Sequence, residues 1–280
     1  MLEAHATRPA GAANAPAVSD CPTEVVSHVA VNAEYRHLVL RAGAPATLAE
    51  PGQFFHLLCP ANGEDKPYLR RPMSTYRADP ATGTVEFLYK VTGLGTRALT
   101  ALASGDELNI LGPLGVGFRL DPAWRTIVVL GRGVGLATLA PLAEAAHALG
   151  IAVTAILSAR RADLVMSAER FAAIGAQVVP VLDSDGSSEP ARVAALLDGL
   201  AEAGRADAVF TCGSNRLFRL AKDVAARRGI AGQVALEQQM ACGLGMCFCC
   251  VRKFEVDGRL VDRRVCWDGP VFDLKEATSW

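Results

Sequence analysis

The chain has almost no net charge, no membrane-length apolar run, no export signal and no internal repeat. Each absence removes a class of function. Its 28 Lys and Arg stand against 29 Asp and Glu, a formal charge of −1, so the electrostatic footprint of a nucleic-acid or anionic-membrane binder is missing. No segment approaches the roughly 18 consecutive apolar residues of a membrane span. Residues 1–21 are rich in Ala and Pro and interrupted by Glu3, His5 and Arg8. They lack the basic start and continuous apolar centre of a secretory signal and are read as a disordered leader. A cytoplasmic place is expected, where disulfides rarely persist and clustered cysteines point to metal or redox chemistry.

What is present is globular. At 280 residues, 51% of them hydrophobic, about two domains are expected. Between residues 22 and 121 short alternating runs such as Thr84–Val91 and Glu107–Leu111 are separated by turn signals, which predicts a small antiparallel barrel or sandwich. From 122 to 235 the texture changes: apolar strands (126–130, 152–157, 177–182, 208–211) alternate with helical runs, the pattern of a parallel sheet covered on both faces. Residues 236–280 are Cys-rich and poor in periodicity, a third small unit that depends on a metal for order.

Four of the eight cysteines fall in nine residues, Cys242 to Cys250, and Cys266 follows. Cys242-x4-Cys247-x2-Cys250 with a distant fourth thiol has the spacing of a plant-type [2Fe–2S] site. Three thiolates from one loop must fold closely around inorganic sulfide, and Gly243 and Gly245 permit that approach. Cys266 is the fourth candidate, brought across a hairpin that turns at Asp257-Gly258. A structural zinc site, the rival, more typically shows two separated Cys-x2-Cys pairs. Cys249 breaks the spacing and is read as a bystander. Cys21, Cys59 and Cys212 read as small buried hydrophobes.

A one-electron centre needs a supplier. Leu69-Arg-Arg-Pro-Met-Ser-Thr75 reads as a loop after a strand, with Arg71 as a forked phosphate donor and the Ser74 hydroxyl directed to a flavin edge; an exposed basic turn is the alternative. Leu88-Tyr-Lys90 and Gly93-Leu-Gly-Thr96 supply a strand and a Gly-rich turn before a helical run at 97–103, an anion cradle. Leu111-Gly-Pro-Leu-Gly115 is read as a closing turn. Gly131, Gly133 and Gly135 between strand and helix form a dinucleotide-site candidate. It lacks the last glycine of the usual fingerprint and an acidic residue about 20 positions on, so ordinary strand–helix packing competes.

In this order, Arg-Pro-x-Ser, Gly-x-Gly-Thr, Leu-Gly-Pro-Leu-Gly and Cys-Gly-x-Gly-x-Cys-x-x-Cys…Cys-x-Asp-Gly-Pro-Val-Phe resemble the electron-transfer subunits of NAD-dependent dihydroorotate dehydrogenases, within the ferredoxin–NADP reductase superfamily. The resemblance covers residues 22–274. It implies a ferredoxin reductase-like fold: a β barrel holding FAD, an α/β parallel-sheet domain for NAD(H) and a small C-terminal iron–sulfur unit. Residue by residue it assigns Arg71, Pro72, Met73, Ser74, Leu88, Tyr89, Lys90, Gly95 and Thr96 to FAD, and Cys242, Cys247, Cys250 and Cys266 to the cluster. Gly131, Gly133, Gly135, Cys212 and Gly213 are the NAD candidates, Cys212 by analogy near the nicotinamide. It also implies a partner subunit that carries FMN and the pyrimidine site, in a heterotetramer. Arg132 stands where that family usually has Gly, and Ser214 where the superfamily usually has Pro. Arg160-Arg161 reads either as a 2′-phosphate site or as solvated surface. Two other functions fit the same residues: a relay serving a different dehydrogenase, and a cluster-based redox sensor.

Overall fold

The structure, a computed structural model, describes residues 17–61, 63–64 and 66–279. Most of the expected leader lies outside these residues, but its last five do not, and Ser19–Cys21 begin the first strand and pair with Gly112–Ile110. Cys21 and Val25 put apolar surface against the barrel core, and this holds the segment in the sheet.

The first domain runs β1 (Ser19–Ala30), β2 (Tyr35–Arg41), β3 (Phe54–Leu57), β4 (Arg71–Ser74), β5 (Arg77–Asp79), β6 (Thr84–Lys90), α1 (Leu94–Leu99) and β7 (Glu107–Leu114). Its antiparallel sheet has the order β4-β3-β7-β1-β2-β6-β5. The end strands β4 and β5 do not pair with each other, so the sheet curls into an open half-barrel. Leu38, Leu40, Phe55, Leu57, Phe87 and Ile110 fill it.

Three local expectations change here. Arg71–Ser74 is an edge strand rather than a loop; Pro72 is tolerated because an edge leaves its missing N–H without a required partner. Residues 111–114 extend β7 instead of turning. Helix α1 starts at Leu94 and ends at Leu99, because the Thr96 hydroxyl accepts the N–H groups of Thr92 and Gly93 at 2.9 and 3.0 Å and closes the first turn.

The second domain comprises β8 (Thr126–Arg132), α2 (Gly135–Ala148), β9 (Ala152–Ala159), α3 (Ala168–Ala173), β10 (Gln177–Leu182), α4 (Pro190–Glu202), β11 (Ala208–Cys212), α5 (Asn215–Arg228) and β12 (Ala231–Ala235). Its strands pair in parallel in the order β10-β9-β8-β11-β12. Both faces are covered, which is why β8 and β11 read as unbroken apolar runs. Ser214 earns its place locally: its hydroxyl accepts the Leu217 N–H at 3.4 Å as the N-cap of α5, a contact worth about 1 kcal/mol.

The C-terminal segment holds the hairpin β13 (Val251–Val256) and β14 (Arg259–Arg264), a single turn α6 (Val265–Asp268) and β15 (Val271–Asp273). It is less separate than its composition implies. Strand β15 joins the nucleotide-domain sheet antiparallel to β12. Phe272 and Leu274 share one core with Leu217 and Phe218 of α5 and with Cys250 and Cys266. Phe272 also stacks on Phe254 of the hairpin at 4.3 Å between centroids. The cysteine loop is therefore anchored to a hydrophobic core before any metal is considered.

Candidate functional site

The loop 242–250 is shaped by left-handed residues: Gly243 (φ 70°), Gly245 (φ 76°) and Phe248 (φ 57°). Gly245 must lack a side chain, since a Cβ there would meet Trp267 at 2.9 Å. The cysteines are brought together two by two. Cys250 and Cys266 are buried with their sulfurs 3.2 Å apart. Cys242 and Cys247 are neighbours across the loop, and the Cys247 thiol helps to lower the Cys242 pKa. Backbone N–H groups point at these sulfurs: Leu244 to Cys242 and Gly245 to Cys266, both at 3.3 Å, and Cys266 to Cys250 at 3.4 Å. Burial opposes ionisation of Cys242, but these N–H donors and Cys247 outweigh it and bring the thiol down to about 7. The bond from Cys266 lowers Cys250 to about 6 and raises Cys266 correspondingly.

Two thiol pairs, each able to hold one iron and each facing N–H donors, fit a binuclear cluster. Among the described residues no three ligating groups converge as a single ion requires. Cys249 stands apart, exposed, its sulfur 3.8 Å from the Gln239 carbonyl. The left-handed Phe248 turns the chain between it and Cys247.

Gly95 and Arg71, distant in sequence, meet. A Cβ on Gly95 would lie 2.5 Å from Arg71 Nε, so the glycine makes room for the guanidinium beside α1. Leu88, Tyr89 and Lys90 diverge by strand alternation. Tyr89 points into the barrel, where its hydroxyl meets His28 Nε2 at 2.8 Å. Leu88 packs against the nucleotide domain, and Lys90 Nζ pairs with Glu34 at 2.7 Å. Of these three side chains only that of Lys90 reaches the cleft.

That cleft, of about 270 Å³, lies between the domains. Its floor is the place where strand order reverses between β8 and β11, the usual position of a ligand crevice in an open α/β sheet. Arg132, Gly133, Val134 and Gly213 line it from the nucleotide domain, Tyr35 and Lys90 from the barrel, and Glu237 from the approach to the cysteine loop. Gly131 and Gly135 serve packing: a Cβ on Gly131 would meet Leu136 at 2.8 Å, and one on Gly135 the Cys212 backbone at 2.5 Å. The Cys212 thiol is buried in the core, where desolvation raises its pKa, and its neighbour Gly213 lines the cleft.

Arg132 is occupied. It donates to Ser158 at 2.8 Å and forks onto Asp183 at 3.1 and 2.5 Å. Arg160 pairs with Glu34 and Arg161 with Asp163. The acidic partner of Arg132 is Asp183, 51 residues on, where only the sheet could bring it. The bonds from Arg132 and Ser188 hold the Asp183 carboxyl near 2. Because the folded value is depressed, the pairing is complete above the ordinary Asp value of about 4 and fades as pH falls toward 2. Arg132→Gly is expected to return Asp183 toward the ordinary value in a carbon-13 NMR titration.

Glu237 carried no sequence signal. Its side chain is exposed and opens to the cleft, whose crowding walls push its carboxyl pKa upward. His56 and Tyr35 were equally silent, being single residues on strands.

Residues 237–278 match the family model of the iron–sulfur cluster binding domain of dihydroorotate dehydrogenase B. The chain is 31% identical over 257 residues to the dihydroorotate dehydrogenase B (NAD(+)) electron transfer subunit of Desulforamulus reducens, covering 91% of this chain and 96% of that one. It is 34% identical over 233 residues to the subunit of the same name from Bacillus caldolyticus, covering 82% and 87%. Among solved structures it is similar to that of an NADH-dependent reduced ferredoxin-NADP oxidoreductase described for flavin-based electron bifurcation, with a TM-score of 0.77, 27% identity and coverage of 91% and 88%. A ferredoxin reductase in carbazole 1,9a-dioxygenase shares the fold, with a TM-score of 0.61, 22% identity and coverage of 76% and 67%. A half-barrel, a parallel α/β sheet and a paired-cysteine loop, with these relatives along nearly the whole length, make the chain a member of the family of dihydroorotate dehydrogenase B (NAD(+)) electron transfer subunits.

Proposed function

We propose that this chain is the oxidoreductase subunit that carries electrons between a dihydroorotate-oxidising partner and NAD(H). When bound, a [2Fe–2S] cluster supplies one-electron carriage, and FAD supplies the exchange between single electrons and the hydride of nicotinamide. The polypeptide holds, orients and shields. Cys242, Cys247, Cys250 and Cys266 hold the irons, and the N–H groups of Leu244 and Gly245 stabilise sulfur charge. Arg71, beside Gly95, holds flavin phosphate with a forked cation, while Pro72, Met73 and Ser74 present the β4 edge. Gly133 and Gly213 leave backbone open to a dinucleotide, with Lys90 and Glu237 on the facing walls.

The observation that carries this reading is the two-by-two pairing of thiols on a loop packed against both the flavin strand layer and the nucleotide domain. A partner surface is supported by Met246 and Phe248, 77% and 58% exposed beside the exposed Cys247; apolar side chains left in water mark docking sites. An FMN-bearing dehydrogenase subunit is the partner the family resemblance implies, in a cytoplasmic heterotetramer. Among the described residues no helix is long and apolar enough to cross a membrane.

Anaerobic NADH is expected to bleach the flavin of the purified chain, and the chain with its co-purifying partner is expected to reduce NAD in the presence of dihydroorotate. Absence of bleaching would favour a redox sensor. Bleaching without dihydroorotate turnover would assign the relay to another dehydrogenase. Arg71→Ala is expected to weaken FAD retention roughly 10- to 100-fold, the scale of a lost charge-assisted contact, measured by flavin fluorescence on dilution.

A further inference from the structure

His56 is the residue whose chemistry nothing above explains. Strand alternation places it: Phe55 and Leu57 of β3 face the barrel core, whereas Phe54 and His56 face the other way. Phe54 on that face shares a core with Cys250 and Cys266. His56 is 0% exposed, yet neither Nδ1 nor Nε2 has a hydrogen-bond partner among the described residues. Its flanking strand neighbours are Pro72 and Leu111, whose side chains accept nothing. Burial, assisted by the Arg70 cation, brings its pKa down to about 4, so at neutral pH the ring carries one N–H and one lone pair.

The ring is pressed against the cysteine loop. A Cβ on Gly243, the residue after Cys242, would lie 2.9 Å from His56 Nε2 and 3.0 Å from Cε1. Gly243 thus serves two ends: its left-handed backbone turns the loop, and its missing side chain admits the imidazole. A buried donor without an acceptor costs stability, so such a group is normally kept for a partner. On this face the acceptor-rich group implied by the site is the sulfur of the cluster.

We propose that the His56 imidazole donates a hydrogen bond to the sulfur shell of the iron–sulfur cluster and thereby raises its reduction potential. The inference rests on the cluster assignment made above. An N–H directed at cluster sulfur stabilises the extra negative charge of the reduced form more than the oxidised form. His56 is a tuning residue: it ligates no iron and passes no proton.

The test uses the whole chain carrying its flavin and cluster, grown with nitrogen-15 histidine. Five histidines are present, at 5, 28, 37, 56 and 147, and of the four among the described residues it is His56 that lies against the loop. Pulsed EPR of the dithionite-reduced protein is expected to show nitrogen-15 coupling to the cluster spin, lost in His56→Leu. In a redox titration, His56→Leu is expected to lower the ratio of reduced to oxidised cluster about tenfold at a fixed ambient potential. That corresponds to about 59 mV for a one-electron couple. The flavin couple stays in place, and His56→Gln, which keeps an N–H, recovers part of the shift. A normal cluster signal without nitrogen-15 coupling overturns the inference, and so does a variant whose flavin potential moves while the cluster's does not. No cluster signal at all in the unsubstituted chain overturns the cluster assignment, and the inference with it. The labelled wild-type measurement decides the matter even if the variants fail to fold.

Discussion

Cys250→Ser and Cys266→Ser are each expected to abolish the brown iron–sulfur absorbance of the purified chain while flavin is retained. Cys249→Ser is expected to leave that absorbance intact. The two essential thiols are buried 3.2 Å apart inside a shared core, so no mobile side chain stands ready to replace either. A serine oxygen is harder and closer to its Cβ than sulfur, a poor match for iron in a sulfide-bridged unit. Cys249 lies on the exposed side, toward Gln239. Absorbance and iron content of these variants and of Cys247→Ser, normalised to flavin, check this. Loss in Cys249→Ser with retention in Cys247→Ser would mean that the loop register is wrong. Since binding that favours the native state adds to its stability, the two disruptive variants are also expected to melt earlier, with the hairpin the first element exposed to protease.

Gly213→Ala is expected to destabilise the chain by about 3 kcal/mol and to remove the NADH response. Gly213 has φ +86°, and a Cβ there would strike the Arg132 carbonyl and approach the Gly135 Cα to 3.0 Å. An alanine in left-handed backbone costs about 1–2 kcal/mol, and overpacking against main chain adds about 1–3. Gly229→Ala separates the two contributions. It has a similar φ of +67° with nothing within 4 Å, and is expected to cost only about 1 kcal/mol. For a domain of this size the difference amounts to several degrees in Tm. If the two variants melt together, the interlock of the two nucleotide-side turns is not what holds the cleft open. Flavin bleaching by NADH is expected to survive Gly229→Ala and fail in Gly213→Ala.

Thiol spacing is local information and legible in the sequence: three of the four candidate ligands lie within nine residues, and the glycines that let the loop close lie between them. The apolar runs of β8, β9 and β11 are legible because a strand buried on both faces needs no polar positions. The edge strand β4 was not legible, since Pro72 argues against a strand wherever pairing on both sides is assumed, and only the sheet order leaves it one free side. Strand β15 was missed for a related reason. Three residues carry no periodicity, and their role follows from Phe272 finding cover against Phe254 and α5.

Residue order along the chain thus carried the class of fold, most of the element types and the candidate thiols proposed for the cluster, because period, turn chemistry and ligand spacing act over a few residues. Folding in three dimensions decided what faces what. It buried the Cys212 thiol in the core and turned Tyr89 into the barrel, because alternation along a strand sends neighbouring side chains to opposite faces. It brought Asp183 to Arg132 and Glu237 to the cleft wall across gaps that no motif spans. It also set His56 against Gly243, where a side chain unremarkable in sequence becomes a buried donor beside the cysteine loop, because contact between sheet layers depends on packing and not on distance along the chain.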